Sequence, residues 1–230
     1  MANEIFTRSM CLLGKDNFNY IQEQVIAVFG LGGVGGTALE ALARTGFKHF
    51  IIVDYDKVDP SNLNRQILYT YKDIGRLKVD VAQERLLSIN PEVKVKKYCQ
   101  KSQEFVFDKR VDFVVDAIDD VDGKIALQLK TRENNIESIM SLGMANRFNP
   151  NSVHLTTLNQ THTDPLAKKI RYMVKRNNLD PKEIAVVISD ELPQKNEGKL
   201  YSSMMVPSSS GLTIASYIVE RIIERRRKTL

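Results

Sequence analysis

Residues 25–45 read VIAVFGLGGVGGTALEALART, and residues 49–54 read HFIIVD. Val25 to Phe29 is a short apolar run closed by a glycine, the pattern of a strand buried on both faces. Residues 34–45 have the length and small-residue content of a helix, and Gly46 supplies its stop. HFIIVD is a second buried strand. Strand, glycine turn, helix and strand in that order form a βαβ unit, which joins parallel strands.

The same rhythm continues outward. Helical spacing runs through Ile74, Leu77, Val81, Leu86 and Ile89, predicting a helix over 73–89. Residues 93–97 alternate apolar and basic side chains as a strand would. DFVVDAI (112–118) is a buried strand, 122–134 a helix, and 136–142 a further strand. This alternation predicts an α/β fold: a Rossmann-like, doubly wound, mostly parallel sheet with ligand-binding loops at one edge. After residue 150 the rhythm changes to a strand (152–158), a basic amphipathic helix (164–177), a strand (183–189), a polar loop (190–203) and a helix (211–227). The expected organisation is one domain over 1–230. It comprises an N-terminal arm or helix (1–24), a nucleotide-binding core (25–150) and a basic C-terminal strand/helix extension (151–230).

The 230 residues carry 33 Lys or Arg and 28 Asp or Glu, a net charge of +5. Residues 1–150 hold 20 of each sign, so the whole excess lies in the last 80 residues. A polyanionic partner for that part is one reading; a solvated charged face is the other. The two cysteines, Cys11 and Cys99, form no C-x-x-C pair, so no four-cysteine zinc site is available, and both are expected to be structural. The N-terminus lacks the apolar core of a signal peptide. The longest charge-free stretch, Leu200 to Val219, is serine-rich and holds Pro207 and Gly211, unlike a membrane span. A cytoplasmic setting is expected.

Three motifs carry chemistry. Gly30, Gly32, Gly33 and Gly35 lie between a strand and a helix, where backbone N–H groups and the helix N-terminus receive a phosphate. Asp54, at the end of the next strand, is placed to bind a ribose. By themselves these fit an NAD-dependent dehydrogenase equally well. The second motif, D-Y-D-K-V-D-P-S-N-L-N-R-Q over 54–66, departs from that reading. It inserts a polar loop bearing Asn64, Arg65 and Gln66 where a dehydrogenase continues into a helix. Arg65 suits bidentate phosphate binding, and Lys78, opening a helix after G-R-L-K, reaches the same region. The third is D-A-I-D-D over 116–120, where a strand-end carboxylate suits magnesium on a triphosphate.

GLGGVG, D-Y-D, S-N-L-N-R-Q, G-R-L-K and D-A-I-D-D, in this order, resemble the adenylating family that includes ThiF, MoeB and the ubiquitin-activating enzymes. The resemblance implies that ATP is cleaved between its α- and β-phosphates and that a substrate carboxylate becomes an acyl-adenylate. It implies that Gly30, Gly32, Gly33 and Gly35 cradle ATP and Asp54 holds its ribose. Asn64, Arg65 and Lys78 would bind the phosphates and Asp119 a magnesium ion, with Asp56 and Gln66 as further contacts.

The zinc-binding cysteine pairs of many members are missing, and no cysteine follows Cys99, so thioester chemistry is not expected. Three further segments are similar to the branch that dehydrates threonylcarbamoyladenosine in tRNA: F-T-R-S-M-C-L-L-G (6–14), D-P-L-A-K with Arg171, and V-P-S with Gly211. That likeness implies a tRNA substrate, a homodimer, and Arg8 as an arginine finger reaching the partner subunit's ATP. Ser141 to Ala145 and Asp120 depart from the branch's pattern, which leaves the substrate side more open than the ATP side. Lys168, Lys169, Arg171, Tyr172, Lys175 and Arg176 are candidates for tRNA contact, the cations on phosphates and the ring on a base. The rival readings are an adenylyltransferase for a ubiquitin-like sulfur-carrier protein, and a nucleotide binder without catalysis.

Overall fold

The computed structural model describes residues 2–162, 164–195 and 200–229. Seven strands form one sheet in the order β3-β2-β1-β4-β5-β7-β6. They are β1 (Val25–Phe29), β2 (His49–Val53), β3 (Lys94–Tyr98), β4 (Phe113–Asp116), β5 (Glu137–Ser141), β6 (Val153–Thr157) and β7 (Ala185–Ser189). All neighbours are parallel except β6, which runs antiparallel to β7. The mostly parallel, doubly wound sheet expected from the sequence is therefore present.

The helices are α1 (Ala2–Ile5), α2 (Thr7–Leu13), α3 (Lys15–Gln22), α4 (Gly33–Thr45), α5 (Lys78–Ile89), α6 (Val121–Glu133), α7 (Pro165–Arg176) and α8 (Met205–Thr229). Successive strand residues face opposite ways, so each central strand feeds two cores. Ile26, Val28, Phe50, Ile52 and Val115 pack with Leu39, Leu42, Leu86, Ile214 and Ile218 of α4, α5 and α8. Ala27, Phe29, Ile51, Val53 and Val114 pack with Leu127 of α6 on the other face. Farther along that face Met140, Val186 and Ile188 pack with Ile170 and Val174 of α7.

Register puts the ends of β1, β2 and β4 level: Phe29 is opposite both Val53 and Asp116. The chain goes from β1 to β2 on one side and later returns to β4 on the other. The gap between the loops after β1 and β4 is thus the switch point where such sheets bind ligands.

Two helix boundaries differ from expectation. α5 begins at Lys78, not 73, because Tyr71–Asp73 forms a separate 3₁₀ turn and Gly75 takes a φ of 85°. α8 begins at Met205, not 211. Pro207 falls in the first turn, where a proline costs no intrahelical hydrogen bond. In the added first turns Ser210 is fully buried, with its hydroxyl 3.2 Å from that of Ser141. The expected loop 190–203 lies partly outside the described residues, at 196–199. The cysteine expectation is corrected: Cys11, on the outer side of α2, and Cys99, after the exposed edge strand β3, both face solvent. No described helix is long and apolar enough to cross a membrane.

Candidate active site

A cleft of about 580 Å³ opens at the switch point. Its walls include Gly30, Gly32 and Gly33 after β1, Asp54, Tyr55 and Asp56 after β2, and Arg65, Gln66 and Lys78 from the following loop and helix. Residues 100–103 after β3 and Ala117, Ile118, Asp119 and Asp120 after β4 also line it, with Met144, Ala145, Ser202 and Pro207. The three separated motifs thus meet in one place.

The glycine turn is dictated by contact. Gly30 has a φ of 85°, and a Cβ there would lie 2.6 Å from the Ala117 carbonyl oxygen. A Cβ on Gly35 would run into the Gly30 carbonyl oxygen. Gly35 does not line the cleft; it lets α4 approach the turn and supports the cradle from behind. At Gly32 the nearest atom to such a Cβ is Gln66 Nε2 at 3.8 Å, so that side of the turn is open.

Asp54 Oδ2 accepts the Leu31 N–H at 2.6 Å, and its Oδ1 accepts that of Asp56 at 2.8 Å. Burial pushes this carboxyl above its usual pKa, against the opposing influence of Lys78 and the two N–H donors. Each oxygen keeps a lone pair for a ribose hydroxyl. Lys78, with its side chain 7 % exposed, donates to Asp56 Oδ2 at 2.8 Å. Arg65 donates through Nη1 to the Ser61 carbonyl and to Asn64 Oδ1, at 2.8 and 2.9 Å. It has no carboxylate partner among the described residues. Gln66 is buried, and its Oε1 has no hydrogen-bond partner. Asp119 is exposed at the mouth and forms no hydrogen bond among the described residues. Asp56, then burial, then Asp119, Asp54 and Asp120 raise the pKa of the Tyr55 phenol, which registers how many carboxylates converge here.

Several expected residues lie elsewhere. Asn64 is off the cleft; its Nδ2 donates to the Ser202 carbonyl at 2.8 Å. Asn62 lines the cleft instead, while its Oδ1 caps the 3₁₀ turn Pro60–Asn62 through the Asp59 N–H. The loop repeats Asn at alternate positions, and only the turn decides which one faces inward. Arg8 is exposed on α2 and is not among the residues that line the cleft; Phe6, just before α2, shares a groove with Arg44 at the far end of α4, roughly 17 Å along that helix from the glycine turn. Arg8 does not reach this chain's own cleft. Arg171 points inward and bonds the Thr161 carbonyl at 2.5 Å and the Thr161 hydroxyl. Lys168, Lys169, Tyr172, Lys175 and Arg176 are exposed along α7, with the Arg176 guanidinium 5.7 Å from the centre of the Tyr172 ring. Asp120 does line the cleft and is at the same time the N-cap of α6, accepting the Gly123 N–H at 2.7 Å.

Sequence reasoning missed Lys124. Its ammonium is shut from solvent and contacts Asp116 Oδ1 and the Ser141 carbonyl, each at 2.8 Å. A lone cation beside Val121, Ile125 and Leu127 was the available signal. Part of the charged end of α8 is also internally paired, while Arg227 and Lys228 are exposed. Arg221 and Arg225 both reach Glu137, at 2.5 and 2.9 Å, and Arg226 reaches Asn17 and Asp16.

The sequence pattern of the ThiF family matches residues 6–178. The chain belongs to the ThiF family. Among its ThiF-family relatives, the tRNA threonylcarbamoyladenosine dehydratase of Bacillus subtilis is 33% identical over 241 residues, covering 95% of this chain and 94% of that one. The Escherichia coli tRNA N6-threonylcarbamoyladenosine dehydratase, solved in complex with ATP, superposes with a TM-score of 0.92 at 28% identity, covering 98% and 96% of the two chains. SUMO-activating enzyme subunit 2 of Dictyostelium discoideum is 36% identical over 126 residues, only 53% of this chain and 19% of that one. Among the described residues no cluster of three His, Cys, Asp or Glu is arranged to hold a metal ion.

Proposed function

We propose that this chain is an ATP-dependent tRNA threonylcarbamoyladenosine dehydratase. The observation that carries the reading is the convergence of Arg65, Lys78, Asp119 and the glycine turn in one cleft, within a chain matched end to end by relatives of that name. Carrier-activating relatives match only about half of it. ATP lies with its ribose on Asp54 and its phosphates over Gly32 and Gly33. The threonylcarbamoyl carboxylate attacks the α-phosphorus; an oxygen–phosphorus bond forms, and the bond to the β-phosphate breaks, releasing pyrophosphate. The carbamoyl group then closes on the activated carbonyl and expels AMP, which keeps one carboxylate oxygen. The net loss is one water. Ring closure within one molecule has a low entropic cost and needs no cysteine nucleophile.

Arg65 lacks a carboxylate partner, so its guanidinium is available to phosphoryl oxygens that gain charge during attack. Lys78 exchanges Asp56 for phosphate when nucleotide enters. Gln66 offers its unpaired Oε1 to a donor at the glycine turn. The donor set fits magnesium: a hard carboxylate, Asp119, without competing bonds, and Asp56 nearby. Magnesium usually takes one or two carboxylates beside phosphates. When bound, the ion neutralises phosphate charge. The exposed cations of α7 take the tRNA backbone. Arg8, unable to serve its own cleft, acts in a homodimer on the partner's. The enzyme works in the cytoplasm.

The test incubates the protein with ATP, magnesium and either threonylcarbamoylated tRNA or a ubiquitin-like carrier, then digests the RNA for mass spectrometry. Loss of one water from the modified nucleoside is the expected result. Carrier-dependent pyrophosphate exchange without that loss would overturn it in favour of a carrier adenylyltransferase.

A further inference from the structure

Three segments meet at the mouth of the cleft: 143–149, 191–195 and 200–203. Met144, Ala145 and Ser202 from them line it. Asn146, in the left-handed region at φ 58°, stitches them together. Its N–H donates to the Tyr201 carbonyl at 2.6 Å, its Oδ1 accepts the Tyr201 N–H at 2.7 Å, and its carbonyl accepts the Gln194 N–H at 2.7 Å. Glu191 Oε2 accepts the N–H groups of Phe148 and Asn149, at 2.8 and 2.7 Å. Buried Arg147 donates to the Glu191 carbonyl at 2.8 Å and to that of Gly143. Asn64 ties the lip to the phosphate side through Ser202.

On this fixed backbone two aromatic side chains face solvent, Phe148 at 63 % exposure and Tyr201 at 56 %. Neither has a ring or cation partner among the described residues. An exposed ring on a braced backbone loses little freedom when something stacks on it. The lip also leads to a cationic helix: Asp164, the N-cap of α7, accepts the Gly143 N–H at 2.7 Å. Lys168 and Lys169 follow about one turn along that helix and are exposed. Exposed rings at the lip of the cleft with cations on the adjoining helix suit a single-stranded nucleic acid, whose bases stack while its backbone is held by charge.

We propose that Tyr201 and Phe148 form a stacking platform for the unpaired bases that flank the reacting nucleoside in an RNA loop. The proposal rests on the RNA reading given above and adds residues that hold the loop beside the cleft.

The test uses the full chain with ATP, magnesium and threonylcarbamoylated tRNA. Tyr201→Ala, Tyr201→Leu, Phe148→Ala and Phe148→Leu are each expected to raise KM for tRNA by about 5- to 150-fold, the range of one base–aromatic stack. Tyr201→Phe and Phe148→Tyr stay near wild type, and KM for ATP is unchanged in all six. Leucine variants with wild-type KM would overturn the platform, because burial without stacking would then suffice. A change in sedimentation mass would overturn it too, assigning the lip to a second copy of the chain. A wild-type protein that leaves the tRNA unaltered removes the RNA reading itself, and the platform with it.

Discussion

Lys124 Nζ donates to Asp116 Oδ1 at 2.8 Å, with the two side chains 0 % and 3 % exposed. Asp116 ends β4, and its Oδ1 also accepts the Ile118 N–H at 3.3 Å. Lys124 reaches on to the end of β5 through the Ser141 carbonyl. One ammonium therefore fixes the strand ends from which Asp119 and the 143–149 loop project. A charge so deep is tolerated only because it is paired.

Lys124→Met leaves Asp116 without its counter-charge and removes a donor from Ser141. The expected loss is about 3–5 kcal/mol, the range for breaking one side of a buried pair. The double variant Lys124→Met/Asp116→Asn should regain part of that loss. Urea unfolding of both proteins measures it; a single variant within about 1 kcal/mol of wild type would show that the pair contributes little.

The glycine turn separates packing from ligand binding. Gly35→Ala forces a methyl into the Gly30 carbonyl and should cost more than about 2 kcal/mol or prevent folding. Gly32→Ala meets no close contact and should keep the wild-type melting temperature, yet weaken ATP binding by obstructing the open face of the turn. Calorimetry with ATP and a thermal scan check both. Unchanged affinity in Gly32→Ala would move the phosphates away from this glycine.

This contrast shows what the sequence makes legible. Strands β1, β2 and β4 could be placed from short apolar runs because both sheet faces are buried, and the glycines from the strand–helix junction. Part of the cleft's lining followed from motifs ending at one sheet edge, whereas residues 100–103, which also line it, carry no motif. Side-chain direction did not follow. Asn62 and Asn64 differ by two residues in one loop, and a 3₁₀ turn capped by Asp59 decides which enters the cleft. The early start of α8 was hidden because Pro207 and the three serines after it show no apolar helical spacing, and the burial of Pro207 and Ser210 cannot be read from them. Lys124 was overlooked because a cation among apolar helix neighbours does not by itself show that it pairs with a carboxylate eight residues back.

Arg65 and Asp119 make few bonds within the chain, so removing them should spare the fold. Arg65→Ala and Asp119→Ala are each expected to lower turnover by at least about 10²–10³-fold, the scale of losing one preorganised charge in a transition state. Circular dichroism should remain unchanged. Near-normal turnover in either variant would sink its assignment.

Glu40 of α4 is buried and hydrogen-bonded to Arg85 of α5 and to Arg44. Burial alone would raise its pKa, but the two guanidinium groups outweigh it and hold the carboxyl below its usual value. A depressed acid stabilises the fold above its unfolded pKa, and that contribution fades as pH falls through the folded one. Glu40→Gln should therefore cost about 1–2 kcal/mol at pH 7, with a smaller gap from wild type at pH 3. Urea titrations at the two pH values decide; a constant gap would show that charge at Glu40 is not the source.

The cations behind the +5 of the last 80 residues include two groups that RNA should distinguish. Arg221, Arg225 and Arg226 are engaged with Glu137, Glu224, Asp16 and Asn17 near the start of β4 and β5. Pro207 borders the cleft, and Arg225 lies roughly 27 Å farther along α8. These arginines clamp the helix to the sheet. Lys168 and Lys169 are exposed on α7, whose N-cap touches the loop beside the cleft, and have no ion-pair partner among the described residues. Lys168→Ala/Lys169→Ala should weaken tRNA binding and lower the slope of log affinity against log salt by about 0.7–0.9 for each phosphate no longer neutralised. Arg225→Ala should leave that slope unchanged and instead reduce the melting temperature, because it breaks the Glu137 clamp. Filter binding across a salt series separates them. A slope that falls with Arg225→Ala and not with the lysine pair would place the RNA at the opposite end of the sheet, away from the cleft.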